Sequence, residues 1–223
     1  MFFAEKIQSI GPNDRVLEIG PGATPHPRSN VFLELEYQSL EEKKLQRGGG
    51  LAEGNFGDRP IFNYDGGIFP FGDAEFSYVI CSHVIEHVND PAAFMREVFR
   101  VGSGRGYLEY PLITYEYLYG FVVHKHFLKY DHGRRVLHFL PKVATDFHQF
   151  APVHSVFYSS LVNGWDDLCA ANKNMFFEGF EFDQSFAVEQ SQNIELLCPE
   201  VQTMRTKGIA RKAIGRVLNT LGL

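Results

Sequence analysis

The residues best suited to binding chemistry lie in the stretch Arg15–Gly22, RVLEIGPG. Its apolar run followed by Gly-Pro-Gly predicts a buried strand that ends in a tight turn. Gly20 and Gly22 lack a Cβ atom, so the backbone can adopt positive φ there and a ligand can lie against it. An acid in a buried strand is costly to desolvate without a partner. A ligand ammonium or hydroxyl group at the carboxyl end of the strand could partner Glu18.

A second candidate acid follows the next apolar run, Val31–Leu35. In dinucleotide-binding folds, a carboxylate at the end of the second strand accepts hydrogen bonds from a ribose diol. Both Glu34 and Glu36 lie at the end of this run, and we favour Glu34. For either residue taken alone, a solvated acid at a strand end is an equally good explanation.

Two histidines lie in the string His83–His87, HVIEH, which matches the inverted zinc-peptidase pattern His-x-x-Glu-His. On a helix, rings four residues apart share one face, as zinc binding requires. A β-prone run immediately precedes His83, however, and Asn89–Pro91 interrupts any helix soon after His87. We therefore expect no metal site. His83 is the candidate catalytic residue, and we expect His87 to pack against a nearby loop.

Two further histidines, His124 and His126, alternate in a predicted hairpin. Alternate residues of a strand share a face, so both rings could point into one cleft. The other interpretation is that they are exposed hairpin histidines.

Strand and helix signals alternate from residue 15 to residue 111, which predicts a parallel sheet flanked by helices. Pro25 and Pro27 exclude a regular helix after the first strand, so we expect a shortened first crossover made by a loop. Asp90 as N-cap and Pro91 at the first helical position predict a helix start. The predicted strands are 15–19, 31–35, 60–65, 76–81 and 107–110, and the predicted helices are a short one in 1–12, the start of 37–60 at 40–45, and 92–100.

Residues 112–200 are predicted to form an α+β cap or extension of a core domain that spans residues 1–111. Within this extension we predict a hairpin of 125–130 and 134–140, in which Gly133 is available for positive φ. We also predict a helical region over 143–172 with breaks at Pro152 and Gly164, and short β-like pieces at 176–177, 180–182 and 186–188. The segment 112–121 fits a strand or an aromatic-faced helix.

The last segment, 201–223, is a basic amphipathic tail without an acid. Such a tail can make weak contact with an anionic membrane surface, or it can be solvated or loosely docked. The chain of 223 residues nevertheless carries a formal net charge of −6, which argues against nucleic acid as its main partner. Three widely separated cysteines and the absence of a signal-like N-terminus fit a cytoplasmic protein.

Several stretches together resemble one family, the class I S-adenosylmethionine-dependent methyltransferases, in their small-molecule branch. The similarity lies in Val16–Gly22 (VLEIGPG), in Asp65–Phe71 (DGGIFPF) and in the following run Gly72–Val88, and it covers about residues 14–111. It implies a Rossmann-like core and S-adenosylmethionine as cofactor, with S-adenosylhomocysteine as product. Thr24, in place of a third glycine, and Ser77, in place of a frequent aspartate, depart from the family pattern.

The resemblance also implies roles for individual residues. Gly20, Gly22 and Glu18 would contact the methionine part of the cofactor, and Glu34 would bind the ribose. Asp65 and Gly66 would bind the adenine. The remaining residues expected to line the cofactor are Cys81, Ser82 and His83.

The nature of the acceptor stays open, and a small molecule or a sugar or glycan is expected. One alternative is a non-catalytic partner subunit with the same fold, because no general base is evident. A nicotinamide-dependent oxidoreductase is another, but it lacks the third glycine and a phosphate-facing helix. The sequence leaves the oligomeric state open.

Overall fold

The chain forms two sheets and five α-helices within residues 1–47 and 54–199, which this computed structural model describes apart from the side chains of 159–168. The strands are β1 (Val16–Ile19), β2 (Val31–Leu35), β3 (Ile61–Tyr64), β4 (Tyr78–Ser82), β5 (Gly106–Pro111), β6 (His126–Asp131), β7 (Val136–Pro141), β8 (Phe177–Phe182) and β9 (Ala187–Gln190). The helices are α1 (Leu40–Gln46), α2 (Pro91–Val101), α3 (Ile113–Tyr119), α4 (Ala151–Ala171) and α5 (Lys173–Phe176).

The larger sheet has six strands in the order β3-β2-β1-β4-β5-β8. The first five are parallel, and β8 pairs antiparallel with β5. The predicted α/β fold with a mostly parallel sheet is confirmed. Strands β2 and β3 follow β1 on one side of it, and β4 and β5 then follow on its other side. The strand order therefore reverses between β1 and β4. Ligands bind at such a reversal, beyond the carboxyl ends of the strands.

The first crossover contains no helix, as the two prolines predicted. Residues 20–30 form turns that are anchored at their far end, where the side-chain oxygen of Asn30 accepts a hydrogen bond from the amide of Val16 at 2.7 Å. The guanidinium group of Arg59 donates to the carbonyl of Ser29 at 3.1 Å and lies over the Phe32 ring, 4.8 Å from its centroid. These contacts fix the loop beside β1 without a helix.

Helix α2 begins where the capping signal predicted. The side chain of Asp90 accepts a hydrogen bond from the amide of Ala93, and Pro91 occupies the first turn. One face of the helix is buried on the sheet through apolar residues at helical spacing, namely Phe94, Met95, Val98 and Val101.

The smaller sheet has the order β6-β7-β9 and joins the main core. Leu128 and Leu137 of its hairpin are fully buried in the same cluster as Leu108 of β5. The expectation for the hairpin loop was wrong in detail. Asp131 pairs with Val136, so the loop has four residues, and positive φ occurs at Arg135 (57°) and not at Gly133.

Three other expectations need correction. The segment 1–12 contains only a 3-10 turn at Ala4–Lys6, because the preceding amides bind a buried carboxylate described below. The region 143–172 begins its α-helix at Ala151 and runs unbroken past Gly164, since Pro152 lies in the first turn, where proline is tolerated. The two β-like pieces at 176–182 form the single strand β8.

The segment 112–121 forms helix α3, one of its two predicted alternatives. Strand β8 belongs to the extension 112–200, so the extension contributes an edge strand to the main sheet. The domain division at residue 111 stays a prediction. The basic tail 201–223 lies outside the described residues, as do residues 48–53 of the predicted loop 37–60. None of the helices in the described part of the chain has the length and apolar character that crossing a bilayer requires.

Gly106 offers a test of the packing between β4, β5 and β8. A Cβ atom there would lie 2.3 Å from the carbonyl oxygen of Val79 and 2.8 Å from Cζ of Phe182. We expect Gly106→Ala to lower the free energy of unfolding by about 1–3 kcal/mol, because backbone atoms cannot yield easily. Urea denaturation measures this, with Gly72→Ala as the matched control, whose nearest atom lies 3.8 Å away. Equal stability of the two variants would contradict the described packing.

Candidate functional site

A cavity of about 810 Å³ lies beyond the carboxyl ends of β1, β2 and β4, where the strand order reverses. Its volume is within the range of ligand-binding pockets. On its other side, the cavity is closed by Tyr115 of α3 and by residues of the segment that connects α3 to β6. Of the predicted site residues, it is lined by Glu18, Gly20, Gly22, Glu34, Asp65, Gly66, Ser82 and His83.

The buried acid of β1 finds its partners within the chain. Oε2 of Glu18 accepts hydrogen bonds from the amide of His26 at 2.8 Å and from Oγ of Ser29 at 2.7 Å. Burial still raises the pKa of Glu18 above its usual value. The crossover loop, and not only a ligand, therefore satisfies this carboxylate, which nevertheless borders the cavity.

Glycine is favoured at the two positions of the first turn for different structural reasons. Both adopt positive φ, 61° at Gly20 and 59° at Gly22. A Cβ atom on Gly20 would lie 2.6 Å from Cγ2 of Val84, whereas one on Gly22 would meet no atom within 4 Å. Gly20 therefore allows close packing, and Gly22 leaves open space beside the backbone in the cavity.

The acid at the end of β2 is held by two neighbours. Oε2 of Glu34 lies 2.8 Å from Nη2 of Arg47, and the hydroxyl of Tyr37 donates to Oε1 at 3.3 Å. Burial and the Glu34 charge raise the pKa of Tyr37 to about 12. Glu36, the alternative, also borders the cavity but is exposed. The Glu34 carboxylate is therefore the more fixed of the two.

The segment after β3 brings an exposed acid to the same cavity. Oδ1 of Asp65 accepts a hydrogen bond from the amide of Gly67 at 2.9 Å, which shapes the turn. Gly66 has a φ of 93°, a conformation that favours glycine. Asp65 is exposed, and its second carboxylate oxygen forms no hydrogen bond with the described residues.

The end of β4 differs from expectation at Cys81. The side chain of Cys81 is fully buried in the core, where burial raises the pKa of its thiol, and it does not border the cavity. Successive side chains of a strand point to opposite faces. Ser82 therefore borders the cavity instead, and its hydroxyl donates to Oε1 of Glu109 at 3.0 Å.

Glu109 of β5, which the sequence analysis did not single out, is fully buried beneath the cavity. Its carboxylate accepts hydrogen bonds from the amides of Phe2 at 2.7 Å and Phe3 at 3.0 Å, and from the hydroxyl of Tyr107 at 2.5 Å. Burial raises the pKa of Glu109, but the contact with His83 outweighs it and lowers the pKa to about 2. The sequence signal for Glu109 was the presence of an acid within the predicted strand 107–110.

His83 lies between two buried acids. Nε2 is 2.9 Å from Oε1 of Glu109, and Nδ1 is 3.4 Å from Oε1 of Glu86. Burial lowers the pKa of His83, but both carboxylates oppose this and raise it to about 9. His83 therefore enters the cavity as a cation at neutral pH, with its backbone in a left-handed conformation (φ 56°). Its catalytic role stays a prediction.

A cluster of Glu86, His87 and His124 borders the cavity on the far side from Asp65. One donor atom from each lies within 4.8 Å of the other two. Burial lowers the pKa of His87 to about 4, whereas the neighbouring histidines lower the pKa of Glu86 to about 2 against the effect of burial. His126 does not border the cavity, because its Nε2 lies 3.0 Å from the carbonyl of Val88.

The expected common face of His124 and His126 is wrong, since β6 begins only at His126. His124 is largely buried, so the alternative of an exposed hairpin residue is wrong for it too. His87 bonds the end of a helix and not the expected loop, because Nδ1 lies 2.8 Å from Oε1 of Gln46, the last residue of α1.

Aromatic side chains form the wall of the cavity next to His83. The rings of Phe2 and Phe177 stack with their centroids 4.0 Å apart, and both rings meet His83 edge-on. Tyr115 of α3 lies beside Phe177, with a centroid separation of 4.7 Å. An apolar, aromatic compartment thus adjoins the charged one.

Residues 51–109 match the family described as Methyltransferase domain. The resemblance to methyltransferases that the sequence indicated is therefore confirmed over these residues. The part that matches the methyltransferase domain contains Asp65, Gly66, Ser82 and His83, together with the newly found Glu109. The Gly20–Gly22 turn and Glu34 precede the matched residues.

Solved structures similar to this chain include further methyltransferases. A putative methyltransferase from Bacillus halodurans is 23% identical, with 48% of each chain covered and a TM-score of 0.35. A possible histamine N-methyltransferase from Thermotoga maritima is 20% identical, with 51% of each chain covered and a TM-score of 0.33. A putative methyltransferase in complex with the Trm112 activator of Haloferax volcanii is 18% identical, covering 48% of this chain and 49% of that chain with a TM-score of 0.34. The match spans about half the length of each of these proteins.

The comparison with curated proteins finds no match.

Removing the charge of Glu109 should destabilise the protein strongly. In Glu109→Gln, the amide cannot neutralise His83, and its NH₂ group cannot accept the hydrogen bonds that one carboxylate oxygen accepts. We expect a loss of about 3–5 kcal/mol in the free energy of unfolding, as for other buried charge pairs that lose one partner. Chemical denaturation measures this.

The control for this variant is Glu189→Gln, which removes one exposed carboxylate from β9 and should change stability by less than about 0.5 kcal/mol. A Glu109→Gln protein as stable as this control would contradict the central position given to Glu109.

Proposed function

We propose that the protein is an S-adenosylmethionine-dependent methyltransferase that acts on a small-molecule or sugar-type acceptor. The observation that carries the proposal is the convergence of the glycine turn, Glu34 and Asp65 on one cavity at the reversal of strand order. The methyltransferase-domain match over residues 51–109 supports it independently.

The cofactor would lie along the strand ends. Its methionine part would contact the open backbone at Gly22 and the carboxylate of Glu18, and its ribose hydroxyls would donate to Glu34. Among the described residues, Oε1 of Glu34 accepts one hydrogen bond, a long one of 3.3 Å from Tyr37, which a ribose hydroxyl can displace or share. The exposed oxygen of Asp65, with the backbone of Gly66, would bind the adenine.

The charge of the cavity suits a cationic cofactor. A sulfonium and an ammonium group both favour nearby carboxylates in a partly desolvated site. The acids that border the cavity are Glu18, Glu34, Glu36, Glu42, Asp65 and Glu86, against the basic residues Arg47 and Lys125 and the charged His83. The excess of negative charge supports S-adenosylmethionine over an anionic dinucleotide, as does the crossover without a helix to bind a pyrophosphate.

Methyl transfer requires alignment of three atoms more than it requires an elaborate catalytic apparatus. The acceptor nucleophile attacks the methyl carbon, its new bond to carbon forms as the carbon–sulfur bond breaks, and S-adenosylhomocysteine leaves with the electron pair. Orientation alone can supply much of the rate. The aromatic wall of Phe2, Tyr115 and Phe177 would hold the acceptor, next to the His83 cation.

A cytoplasmic location is part of the same proposal. The structure has no disulfide bond among Cys81, Cys169 and Cys198, which fits a reducing compartment.

Cofactor binding should depend on Glu34 and not on Glu36. We expect wild type to bind S-adenosylhomocysteine in isothermal titration calorimetry, and Glu34→Gln to bind it about tenfold to a hundredfold more weakly. The reason is that a bidentate acceptor for the ribose diol is lost, at about 1.5–3 kcal/mol for a hydrogen bond to a charged group. Glu36→Gln is the matched control and should retain wild-type affinity. Equal effects of both substitutions would contradict the assignment of Glu34.

The adenine end can be tested with Asp65→Asn. Asparagine keeps an oxygen for the Gly67 amide, so the turn is preserved, but its NH₂ group cannot accept a hydrogen bond from the adenine amino group. We expect at least tenfold weaker binding of S-adenosylhomocysteine and an unchanged unfolding temperature. Unaltered affinity would show that Asp65 does not contact the adenine.

The same titrations separate the catalytic proposal from the partner-subunit alternative. An enzyme should bind S-adenosylmethionine and turn it over when offered acceptors of several classes. A non-catalytic partner subunit should bind the cofactor and leave it unconverted, and a protein of another class should bind neither sulfur compound.

A further inference from the structure

Glu86 is a buried acid that accepts no hydrogen bond within residues 1–47 and 54–199, which the structure describes. Its side chain has 0% exposure, and neither carboxylate oxygen has a donor within hydrogen-bonding geometry. Nδ1 of the His83 cation lies 3.4 Å from Oε1 without forming a hydrogen bond, and Nε2 of the His87 ring lies 3.9 Å from Oε1. A buried carboxylate without donors is costly unless a cation is bound close to it. Glu86 is one of the residues that line the cavity.

In both histidines beside Glu86, the ring nitrogen Nδ1 contacts another residue. Nδ1 of His87 lies 2.8 Å from the amide oxygen Oε1 of Gln46. Nδ1 of His124 contacts the carboxylate of Glu116, to which Lys142 also donates. Both oxygens can accept a proton from Nδ1, and an imidazole with its proton on Nδ1 has a lone pair on Nε2 that can bind a metal. Metal-binding histidines usually have this pattern, with the second nitrogen bonded to a carboxylate or carbonyl oxygen.

The segment that carries His124 is fixed against the segment that carries Glu86. The amide of Lys125 donates to the carbonyl oxygen of Glu86 at 2.7 Å, and its ammonium group donates to the side chain of Asn89 at 2.7 Å. The rings of His87 and His124 meet edge-on with centroids 4.6 Å apart, and Phe121 stacks on His124. The segments that carry the three donor groups are therefore joined to each other at the cavity wall.

We propose that Glu86, His87 and His124 bind a divalent transition-metal ion, with zinc as the simplest candidate. Their donor atoms lie within 4.8 Å of one another, and a tetrahedral zinc ion with bonds of about 2.0–2.2 Å needs separations of about 3.3–3.6 Å. Side-chain rotation supplies this contraction. Two imidazoles and one carboxylate suit zinc, whereas magnesium and calcium prefer oxygen ligands.

This site differs from the zinc motif that the sequence analysis rejected. Residues 85–87 form a turn and not a helix, so His83 and His87 do not share a helical face, and the ring of His83 lies against Glu109. The third ligand is His124, which follows in the segment before β6. The expectation of no metal site was based on the β-prone run before His83 and the interruption at Asn89–Pro91, and His124 lies outside that string.

Three protein ligands leave at least one coordination position open toward the cavity. The chemical consequence rests on the proposed methyl transfer, whereas metal binding does not. An acceptor hydroxyl bound at the open position would release its proton to solvent more readily than in water. Its oxygen would then form the O–CH₃ bond as the S–CH₃ bond breaks. The acceptor class is thus an alcohol or phenol that can bind a metal through oxygen.

The test uses the full chain, with any affinity tag removed and metals stripped by a chelator. We expect calorimetry with Zn²⁺ to give one ion per chain, and Co²⁺ to give the visible absorption of a tetrahedral site. His87→Ala and His124→Ala should each weaken zinc binding by at least about a hundredfold, and Gln46→Ala by about tenfold to a hundredfold through loss of its bond to His87. Mg²⁺ should give no saturable binding heat.

His132→Ala is the matched control, because His132 is exposed, lies in the hairpin loop and does not border the cavity. It should retain wild-type zinc affinity. Circular dichroism shows whether each variant is folded, and the wild-type Co²⁺ spectrum tests the ligand set even if a variant unfolds. A wild type that binds no zinc, a Co²⁺ spectrum without tetrahedral character, or equal zinc affinity of folded His124→Ala and His132→Ala would overturn the proposal.

Metal titrations in the absence of S-adenosylmethionine keep this result separate from the proposed function. Zinc binding without cofactor binding would refute the methyltransferase proposal and leave the metal site in place. Cofactor binding without zinc binding would do the reverse.

Discussion

The buried carboxylate of Glu109 in β5 organises the hydrogen bonds beneath the cavity. Glu109 is charged in a place where water cannot solvate it, so the chain must supply donors. These come from Phe2, Phe3, Tyr107 and Ser82, and the His83 cation lies 2.9 Å from the same carboxylate. Two of the donors are backbone amides of the N-terminal segment, which explains why this segment crosses the sheet and forms only a short 3-10 turn. The aromatic wall at Phe2 is positioned by the same hydrogen bonds.

The cavity divides into two parts with different chemistry. At the ends of β1, β2 and β3, carboxylates and open glycine backbone can bind a polar, cationic cofactor. Beyond β4, the buried acids Glu86 and Glu109 alternate with histidines and have aromatic neighbours. Each acid keeps a nearby imidazole charged or oriented, so the protonation states on this side are fixed by burial and pairing together. A methyl donor in the first part and an acceptor in the second would meet near His83.

The candidate metal site shows why sequence patterns are weak guides to side-chain clusters. The string His83–His87 contains two of the three groups, but its spacing has meaning for zinc only on a helix, and these residues form a turn. The third group, His124, reaches the site because one backbone hydrogen bond joins Lys125 to Glu86. No periodicity in either segment encodes that pairing. Glu116, which orients His124, is likewise buried in a helix that the sequence left undecided.

The sequence alone determined the parallel sheet, the helix-free first crossover and the start of α2. These depend on local chemistry: apolar runs, two prolines that cannot continue a helix, and an aspartate that caps the first amides of α2. It also placed Glu18, Glu34 and Asp65 at one edge, since parallel strands end together. Only the tertiary structure decided that Cys81 faces the core, that β8 completes the sheet, and that Glu109 and the Glu86–His87–His124 cluster exist. Those features arise from contacts between distant segments, and a buried charge can be recognised as stable only when its partners are known.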